Sequence, residues 1–328
     1  MTDFPAPFLL LPSYKDYLWG GNRLASLFGK KGGPERIAES WELSAHPDGE
    51  SVIAAGPFRG QTLSAFLESN PGAAGTAVPP GKEFPLLVKL IDAAQNLSVQ
   101  VHPDEDYARR NEGSRGKTEM WYILRSDPGA FLCCGFSRPV TGGEVERRIR
   151  EGTLADVLRS VPVKPGDVFF IPAGTIHAVG EGIVLAEVQE SSNITYRVFD
   201  YGRAGADGRP RPLHIGKALD VLRMEEGFPP PPGGEGEYRP VPGGKARLLC
   251  SCPSFTCSVL ELNGRLSKTM GNESFLSLLC LEGKALLSAP GGGLGIGTGD
   301  SVFVPAGRRD ILLEGTGEFL LTFPGRPE

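Results

Sequence analysis

Histidine is scarce in this sequence: four residues, at 46, 102, 177 and 214, are the whole imidazole supply of a 328-residue chain. Any imidazole chemistry must be built from those four. No Cys-x-x-Cys pair occurs, since the six cysteines stand at 133, 134, 250, 252, 257 and 280. That excludes zinc-knuckle spacing and leaves reduced, partly buried thiols of a cytoplasmic protein as the expectation. The opening stretch, MTDFPAPFLLLPSYKDYLWGG, lacks a basic n-region and a long apolar core. Neither a signal peptide nor a membrane span is expected there. Basic charge is not in excess either: 34 Lys and Arg against 39 Asp and Glu give a net charge of −5. That balance argues against a general nucleic-acid binder.

Turn formers are abundant, with 45 Gly and 29 Pro. So much punctuation is incompatible with a helical bundle and suits short strands joined by tight turns. The runs FPLLVKLI, MWYIL, DVFFIP, VLAEV, FLSLLCL and SVFVP read as strands. Helical periodicity is confined to 61–69, 142–160 and 213–224, which predicts a small helical insertion beside a β-rich body. The stretch FPPPPGGEGEYRPVPGG at 228–244 has no apolar period and reads as a linker. The predicted division is 1–235 and 236–328.

One motif occurs twice. Residues 166–182, GDVFFIPAGTIHAVGEG, and 299–315, GDSVFVPAGRRDILLEG, share Gly-Asp, Phe-x-Pro-Ala-Gly and Glu-Gly at a constant offset. Each copy is a turn, a buried strand, a second turn and a second strand. Two copies of such a unit predict a duplicated β-barrel rather than a solenoid, which needs several short repeats. His177 of the first copy is Asp310 in the second, beside Arg308 and Arg309, which predicts a solvated turn there.

The chemistry-bearing residues cluster around the first copy. In LSVQVHPDEDY, Gln100 and His102 are two apart in a strand and leave the same face. In GKTEMWYIL, Lys117 and Glu119 do the same. Gly166-x5-Pro172-x-Gly174-x2-His177 is similar to the second signature of the cupin barrel, a fold in which this His points inward and binds a metal. The first cupin signature is altered here to Gln100-x-His102 with Glu119 further on. Two neutral imidazoles and a carboxylate suit Zn²⁺ or Fe²⁺, with Gln100 offering a weak oxygen ligand. The blander alternative for a lone barrel His is a hydrogen-bonded core residue. His46 reads as a turn residue, and His214 as a helix cap or packing residue.

AESWELSAHP, FPLLVKLIDA, LSVQVHPDEDYA, GKTEMWYIL, VFFIPAGTIHAV and VQESSNITYRVFDYGR, in that order, resemble the type I mannose-6-phosphate isomerases, in their short bacterial form. The resemblance implies two cupin-type, jelly-roll barrels, the second degenerate and without a catalytic metal. It also implies a Zn²⁺ enzyme, one ion per chain, interconverting mannose 6-phosphate and fructose 6-phosphate. Matched by motif, His102, Glu119 and His177 are the implied zinc ligands, with Gln100 a possible fourth and Arg197 the active-site arginine. Asn193 departs from the pattern, which has Asp in that position.

Aldose–ketose isomerisation moves a proton between C1 and C2 through an enediol. It needs a Lewis acid at the oxygens and a general base. Arg197 suits oxyanion stabilisation, because guanidinium stays charged and donates a planar fork. Lys117 suits phosphate binding or proton relay, against the plainer reading of an ion-pair partner of Glu119. Glu190 is a candidate base or substrate-binding carboxylate, against a surface carboxylate. Two other readings stay open at this point. One is a non-haem Fe(II) cupin dioxygenase, since two His and a Glu also form a facial triad. The other is a non-catalytic sugar-phosphate sensor.

Overall fold

The computed structural model describes residues 5–79, 81–205, 208–234 and 236–325. The described chain is mainly β, built from sheets of nine, six and five strands. The six-stranded sheet runs, in order, Val168–Ile171, Glu119–Ser126, Ile183–Glu190, Leu86–Ala93, Glu39–Leu43 and Ser13–Lys15. The five-stranded sheet runs Tyr196–Phe199, Val99–Val101, His177–Val179, Phe131–Phe136 and Leu158–Pro162.

These two sheets close on a shared core. Trp121, Ile123, Phe169, Ile183 and Leu185 of the first meet Leu132, Cys134 and Val179 of the second. The outer face of the five-stranded sheet is covered by helices, with Val145, Ile149 and Ala218 packed on Val101 and Val198. The outer face of the six-stranded sheet packs on the C-terminal sheet, where Val88, Met120, Ala186 and Val188 join Leu249, Phe255, Val259 and Leu320. Strands such as Leu86–Ala93 are therefore buried on both faces, and their near-continuous apolar run follows from that.

The repeated motif folds the same way twice. In the first copy Gly166 N donates to Ile123 O at 2.8 Å and Ile123 N to Asp167 O at 3.0 Å. In the second, Gly299 N donates to Cys280 O at 2.8 Å and Cys280 N to Asp300 O at 2.9 Å. Both glycines have positive φ, 90° and 86°, which only glycine adopts without strain. The copies diverge after Pro-Ala-Gly. The first makes the short strand His177–Val179, turns, and continues as Ile183–Glu190. The second runs straight on as Arg309–Pro324. Asp310 is exposed on that strand and accepts from Thr269 Oγ1 at 2.6 Å. The expected solvated turn is corrected at Arg309, which is buried and donates to Pro5 O at 2.6 Å and Ala306 O at 3.3 Å.

Three expectations change in detail. The helix predicted across 142–160 covers only Gly142–Glu151, capped by Thr141, whose Oγ1 accepts from Glu144 N at 3.2 Å. Gly152 ends it in the left-handed conformation, and Leu158–Pro162 then pairs as a strand with Phe131–Phe136. The predicted linker contains a strand, Arg239–Val241, which turns at Pro242-Gly243 into Gly244–Ser251. Glu235, at the expected boundary, lies outside the described residues, but strand pairing crosses that boundary. Phe8–Leu11 pairs antiparallel with Ser301–Val304, Phe8 opposite Phe303, so residues 236–328 alone do not make the C-terminal sheet. The rings of Phe8, Phe66, Phe84, Phe275 and Phe303 pack stacked, tilted or edge-on at centroid distances of 4.9–6.4 Å across this junction. Among the described residues no helix is long and apolar enough to cross a membrane.

Candidate active site

His177, Gln100 and Arg197 stand side by side on three adjacent strands. His177 is in register with Gln100, and Gln100 with Arg197. Register partners share a face, so all three side chains leave the five-stranded sheet toward the six-stranded one. Glu119 opens the facing strand Glu119–Ser126, and His102 follows directly on Val99–Val101.

His102, Glu119 and His177 bring one donor atom each within 4.8 Å of one another, and all three are buried. His177 Nε2 lies 3.5 Å from Glu119 Oε1, and His102 Nε2 lies 3.7 Å from Oε2. The tautomers follow from the other ring nitrogens. His102 Nδ1 is 2.7 Å from Ile194 O and His177 Nδ1 is 2.9 Å from Thr175 O. A carbonyl only accepts, so each Nδ1 carries the proton and each Nε2 presents a lone pair. Burial keeps both rings neutral, lowering His177 to about 4 and His102 well below its ordinary value.

Two imidazole lone pairs thus face a carboxylate in a buried site. His102 Nε2 and Glu119 Oε1 have no hydrogen-bond partner among the described residues. Acceptors aimed at acceptors repel one another and are desolvated as well, which is unfavourable without a cation between them. Donors at about 2.0–2.1 Å from one tetrahedral ion stand roughly 3.3 Å apart, close to the spacing present. The donor set fits a divalent metal, and the carbonyl bonds to both Nδ1 atoms supply the outer support such ligands need. Gln100 offers its amide at the same point, with Nε2 3.3 Å from His177 Nε2. Among the described residues no second cluster of this kind exists.

Behind the cluster runs a buried chain of alternating charge. Lys117 Nζ is 2.8 Å from Glu119 Oε2 and 3.9 Å from Glu187 Oε1. Lys89 Nζ is 2.9 Å from Glu187 Oε1 and 3.6 Å from Glu39 Oε2. Trp121 Nε1 donates to Glu187 at 2.9 Å and Trp41 Nε1 to Glu39 at 2.7 Å. Burial raises Glu187, but Lys117 and Lys89 outweigh it and bring the carboxyl down to about 2. Burial, then the Glu187 charge, push Glu119 up to about 7 despite Lys117.

Arg197 is held through its backbone and aimed by its neighbours. Its N donates to His214 Nδ1 at 3.1 Å, its O accepts from His214 N at 2.8 Å, and Nη1 donates to Pro212 O at 3.2 Å. Its Nε is buried and has no partner among the described residues. His214 thus precedes the helix Ile215–Val221 without capping it by a side-chain bond; its ring holds Arg197 instead. His46 is the turn residue expected, with Gly49 N donating to its carbonyl at 2.9 Å.

Glu190 is not brought to the cluster. On the strand Ile183–Glu190, Glu187 shares a face with Ile183 and Leu185 toward the first core, and Gln189 follows by alternation. Glu190 leaves the opposite face with Val188, toward the C-terminal unit, where Oε2 accepts from Thr118 N at 2.9 Å. Asn193 donates to Asp48 Oδ2 at 2.8 Å, so a carboxylate from a different loop stands beside the departing position. Lys89, Glu187, Glu39 and the two tryptophans were not anticipated. Their signal is a lone charge inside an apolar run, FPLLVKLI or VLAEV, which must find a buried partner.

Residues 8–122 match the family described as phosphomannose isomerase type I, catalytic domain, and residues 246–324 the mannose-6-phosphate isomerase cupin domain. A probable mannose-6-phosphate isomerase of Bacillus subtilis is 36% identical over 97% of this chain and 99% of its own length. The mannose-6-phosphate isomerase of Streptococcus mutans is 35% identical over 91% of this chain and 92% of its own. The crystal structure of mannose 6-phosphate isomerase from Bacillus subtilis superposes with a TM-score of 0.89 at 32% identity, covering 97% of this chain and 99% of that one. The apo form of the Salmonella typhimurium enzyme, at 19% identity, shares the fold with a TM-score of 0.74, covering 98% of this chain and all of that one. Fold, repeat and buried donor cluster agree with these likenesses, and the chain belongs to the type I mannose-6-phosphate isomerases.

Proposed function

We propose that this chain is a Zn²⁺-dependent isomerase interconverting mannose 6-phosphate and fructose 6-phosphate by proton transfer between C1 and C2 through an enediol. The observation that carries the reading is the pair of imidazole lone pairs facing the Glu119 carboxylate in a buried, strand-mounted cluster. His102, Glu119 and His177 would hold the ion, with Gln100 as a fourth donor. When bound, Zn²⁺ supplies Lewis acidity toward the carbonyl and hydroxyl oxygens without redox chemistry.

The protein's own groups supply the rest. Arg197, with Nε lacking a partner among the described residues, donates to anionic oxygen of the substrate, either the developing enediolate or the phosphate. Lys117 bridges Glu119 and Glu187, so it holds the ligand carboxylate in place and can pass a proton at Nζ. Glu187 and Lys89 fix the position of Lys117 and exclude water behind it. No group is assigned as the base at C2. The test is a coupled assay for mannose 6-phosphate turnover with and without chelator, followed by added Zn²⁺. Turnover that survives complete metal removal would overturn the reading.

A further inference from the structure

A cavity of about 700 Å³ lies apart from the candidate metal cluster. Its walls come from the helix Leu63–Ser69, the short helical turn Pro71–Ala74, residues 45–47, residues 78, 79 and 81–84, and the turn 113–115 that follows the helix Glu105–Glu112. None of His102, Glu119, His177, Gln100, Lys117 and Arg197 is among the residues that line it. Much of the lining is apolar, from Pro47, Leu67, Ala74, Val78 and Phe84. Ala74, Val78 and Phe84 are buried members of the core shared with the C-terminal unit, and Leu67 packs against it, so this part of the wall is formed in advance of any ligand.

The polar groups left over in this cavity are donors. The Arg115 side chain is only 21% exposed, and its Nε is buried with no hydrogen-bond partner among the described residues. Its two carboxylate contacts, Nε to Glu105 Oε2 at 3.9 Å and Nη2 to Glu190 Oε1 at 3.7 Å, are too long for hydrogen bonds. Those carboxylates accept from other donors. Glu105 accepts from Arg109 Nε at 3.0 Å and from Gly116 N at 2.8 Å, and Glu190 accepts from Thr118 N at 2.9 Å. Glu83, on the cavity wall, accepts from Arg109 Nη1 at 3.2 Å and Nη2 at 2.5 Å. His46 adds a second donor. Its Nδ1 accepts from Asp48 N at 3.1 Å, so in the neutral ring Nε2 carries the proton, and Nε2 has no partner among the described residues. Burial favours that neutral ring by lowering its pKa. Ser114 and Ser191 line the same cavity and bring hydroxyl groups.

We propose that this cavity is a second small-molecule site, and that it takes an organic monocarboxylate with an apolar body. The carboxylate accepts from the Arg115 guanidinium, with His46 Nε2 as a further donor, and the hydrocarbon part lies against Leu67, Val78 and Phe84. A mostly buried guanidinium whose N–H groups lack acceptors is unfavourable, and a carboxylate matches its planar fork with two parallel, charge-assisted bonds. A cavity with a largely apolar lining and a few unspent polar groups is the usual form of a small-molecule site. Phosphate fits less well. Its two negative charges would meet Glu83 and Glu190, with Arg115 and the exposed Lys82 as the lining cations. Nor would its oxygens gain anything from the apolar wall, whereas a hydrocarbon body leaves water on entering it.

The test is calorimetric titration of the full chain with 3-phenylpropanoate, a reading that does not depend on the isomerase activity. The expected result is saturable binding of one molecule per chain with a Kd of about 1 mM or tighter. The neutral amide, 3-phenylpropanamide, should bind about tenfold or more weakly, because it lacks the charge that pairs with Arg115. Arg115→Gln should weaken the carboxylate by a similar factor and leave the amide nearly unchanged. Leu67→Glu, which puts a like charge in the apolar wall, should abolish carboxylate binding, and it decides the location if Arg115→Gln fails to fold. Removal of the metal by chelation and dialysis should leave the affinity unchanged, and inorganic phosphate should not displace the probe. Absence of saturable binding, equal affinity for the amide, or full binding in Leu67→Glu would each overturn the proposal. So would displacement by phosphate, or loss of affinity with the metal, since the carboxylate would then sit on the ion.

Discussion

His214 holds the backbone of Arg197 from both sides: its ring nitrogen Nδ1 accepts from Arg197 N at 3.1 Å, and its own N donates to Arg197 O at 2.8 Å. Arg197 in turn lies in register with Gln100, one strand from His177. A histidine outside the candidate metal cluster therefore fixes the backbone from which the guanidinium projects.

Arg197→Lys should lower kcat/KM far more than stability. Lysine keeps the charge but loses the planar fork. A lost charge-assisted hydrogen bond is worth roughly 1.5–3 kcal/mol, on the order of ten- to a hundredfold in rate. A loss confined to KM would assign Arg197 to the phosphate, whereas a fall in kcat for mannose as well would assign it to the enediolate. His214→Ala should give a smaller loss in the same parameter, and His214→Asn, which retains an acceptor near Nδ1, should recover part of it. Steady-state kinetics alongside thermal unfolding checks this. Failure of Asn to rescue, with a lowered melting temperature, would make His214 a packing residue only.

One metal ion per chain should be found by elemental analysis, and His102→Ala, Glu119→Ala or His177→Ala should each remove it. Changes outside the ligand shell alone cost ~10–100-fold in affinity or activity, so loss of a ligand should exceed that. Chelation should abolish turnover and added Zn²⁺ should restore it. Two ions per chain, or full activity in His177→Ala, would contradict the site.

Asp310→Ala should be nearly silent. Asp310 occupies the place of His177 in the repeat, but it is exposed and its one side-chain bond among the described residues is to Thr269. A surface change of this kind shifts stability by about 0.5 kcal/mol or less. A large fall in kcat in a folded variant would reveal a second site in the C-terminal unit.

Much of the candidate metal cluster is legible because its signals are local. Gln100-x-His102 and Lys117-x-Glu119 follow from strand alternation, and His177 from the turn before it. The buried charge chain was not legible, because Lys89, Lys117 and Glu187 meet only through strand pairings that span up to about a hundred residues. Glu190 lies away from the cluster for a related reason. Alternation says that Glu187 and Glu190 face opposite ways, but only the register says which way is inward. The first strand was hidden in the same manner, since nothing near Phe8 announces Phe303 as its neighbour.

Asp200 should make stability pH-dependent in the acid range. Burial raises its pKa, but hydrogen bonds from Arg211 and Arg203 outweigh that and hold it below the usual carboxylate value. A carboxyl depressed in the native state contributes stability above its unfolded pKa of about 3.9. That contribution is lost as pH falls through the native value. Asp200→Asn should therefore unfold a few degrees lower than wild type at pH 7, and the gap should close on acidification below about pH 3.9. A gap independent of pH would show that the shape of the side chain, not its charge, holds Arg203 and Arg211.

The buried charge chain separates stability from function most sharply. Glu187 Oε1 is 2.9 Å from Lys89 Nζ and 3.9 Å from Lys117 Nζ, all nearly inaccessible to water. Glu187→Gln leaves two buried ammonium groups short of an anion, and breaking a buried pair in this way costs about 3–5 kcal/mol. Replacing both members, Lys89→Met with Glu187→Leu, in a Glu39→Gln background because Lys89 also faces Glu39 at 3.6 Å, removes the uncompensated charge, and such apolar substitutions are often neutral or stabilising. The double variant should therefore regain most of the stability lost in Glu187→Gln. Activity should not return, because Lys117 would then be drawn wholly to Glu119 and would no longer sit between two carboxylates. Chemical denaturation and mannose 6-phosphate turnover, measured on both variants, check this. If the double variant recovers stability and turnover together, the chain is packing alone, and Lys117 acts on the substrate without help from Glu187.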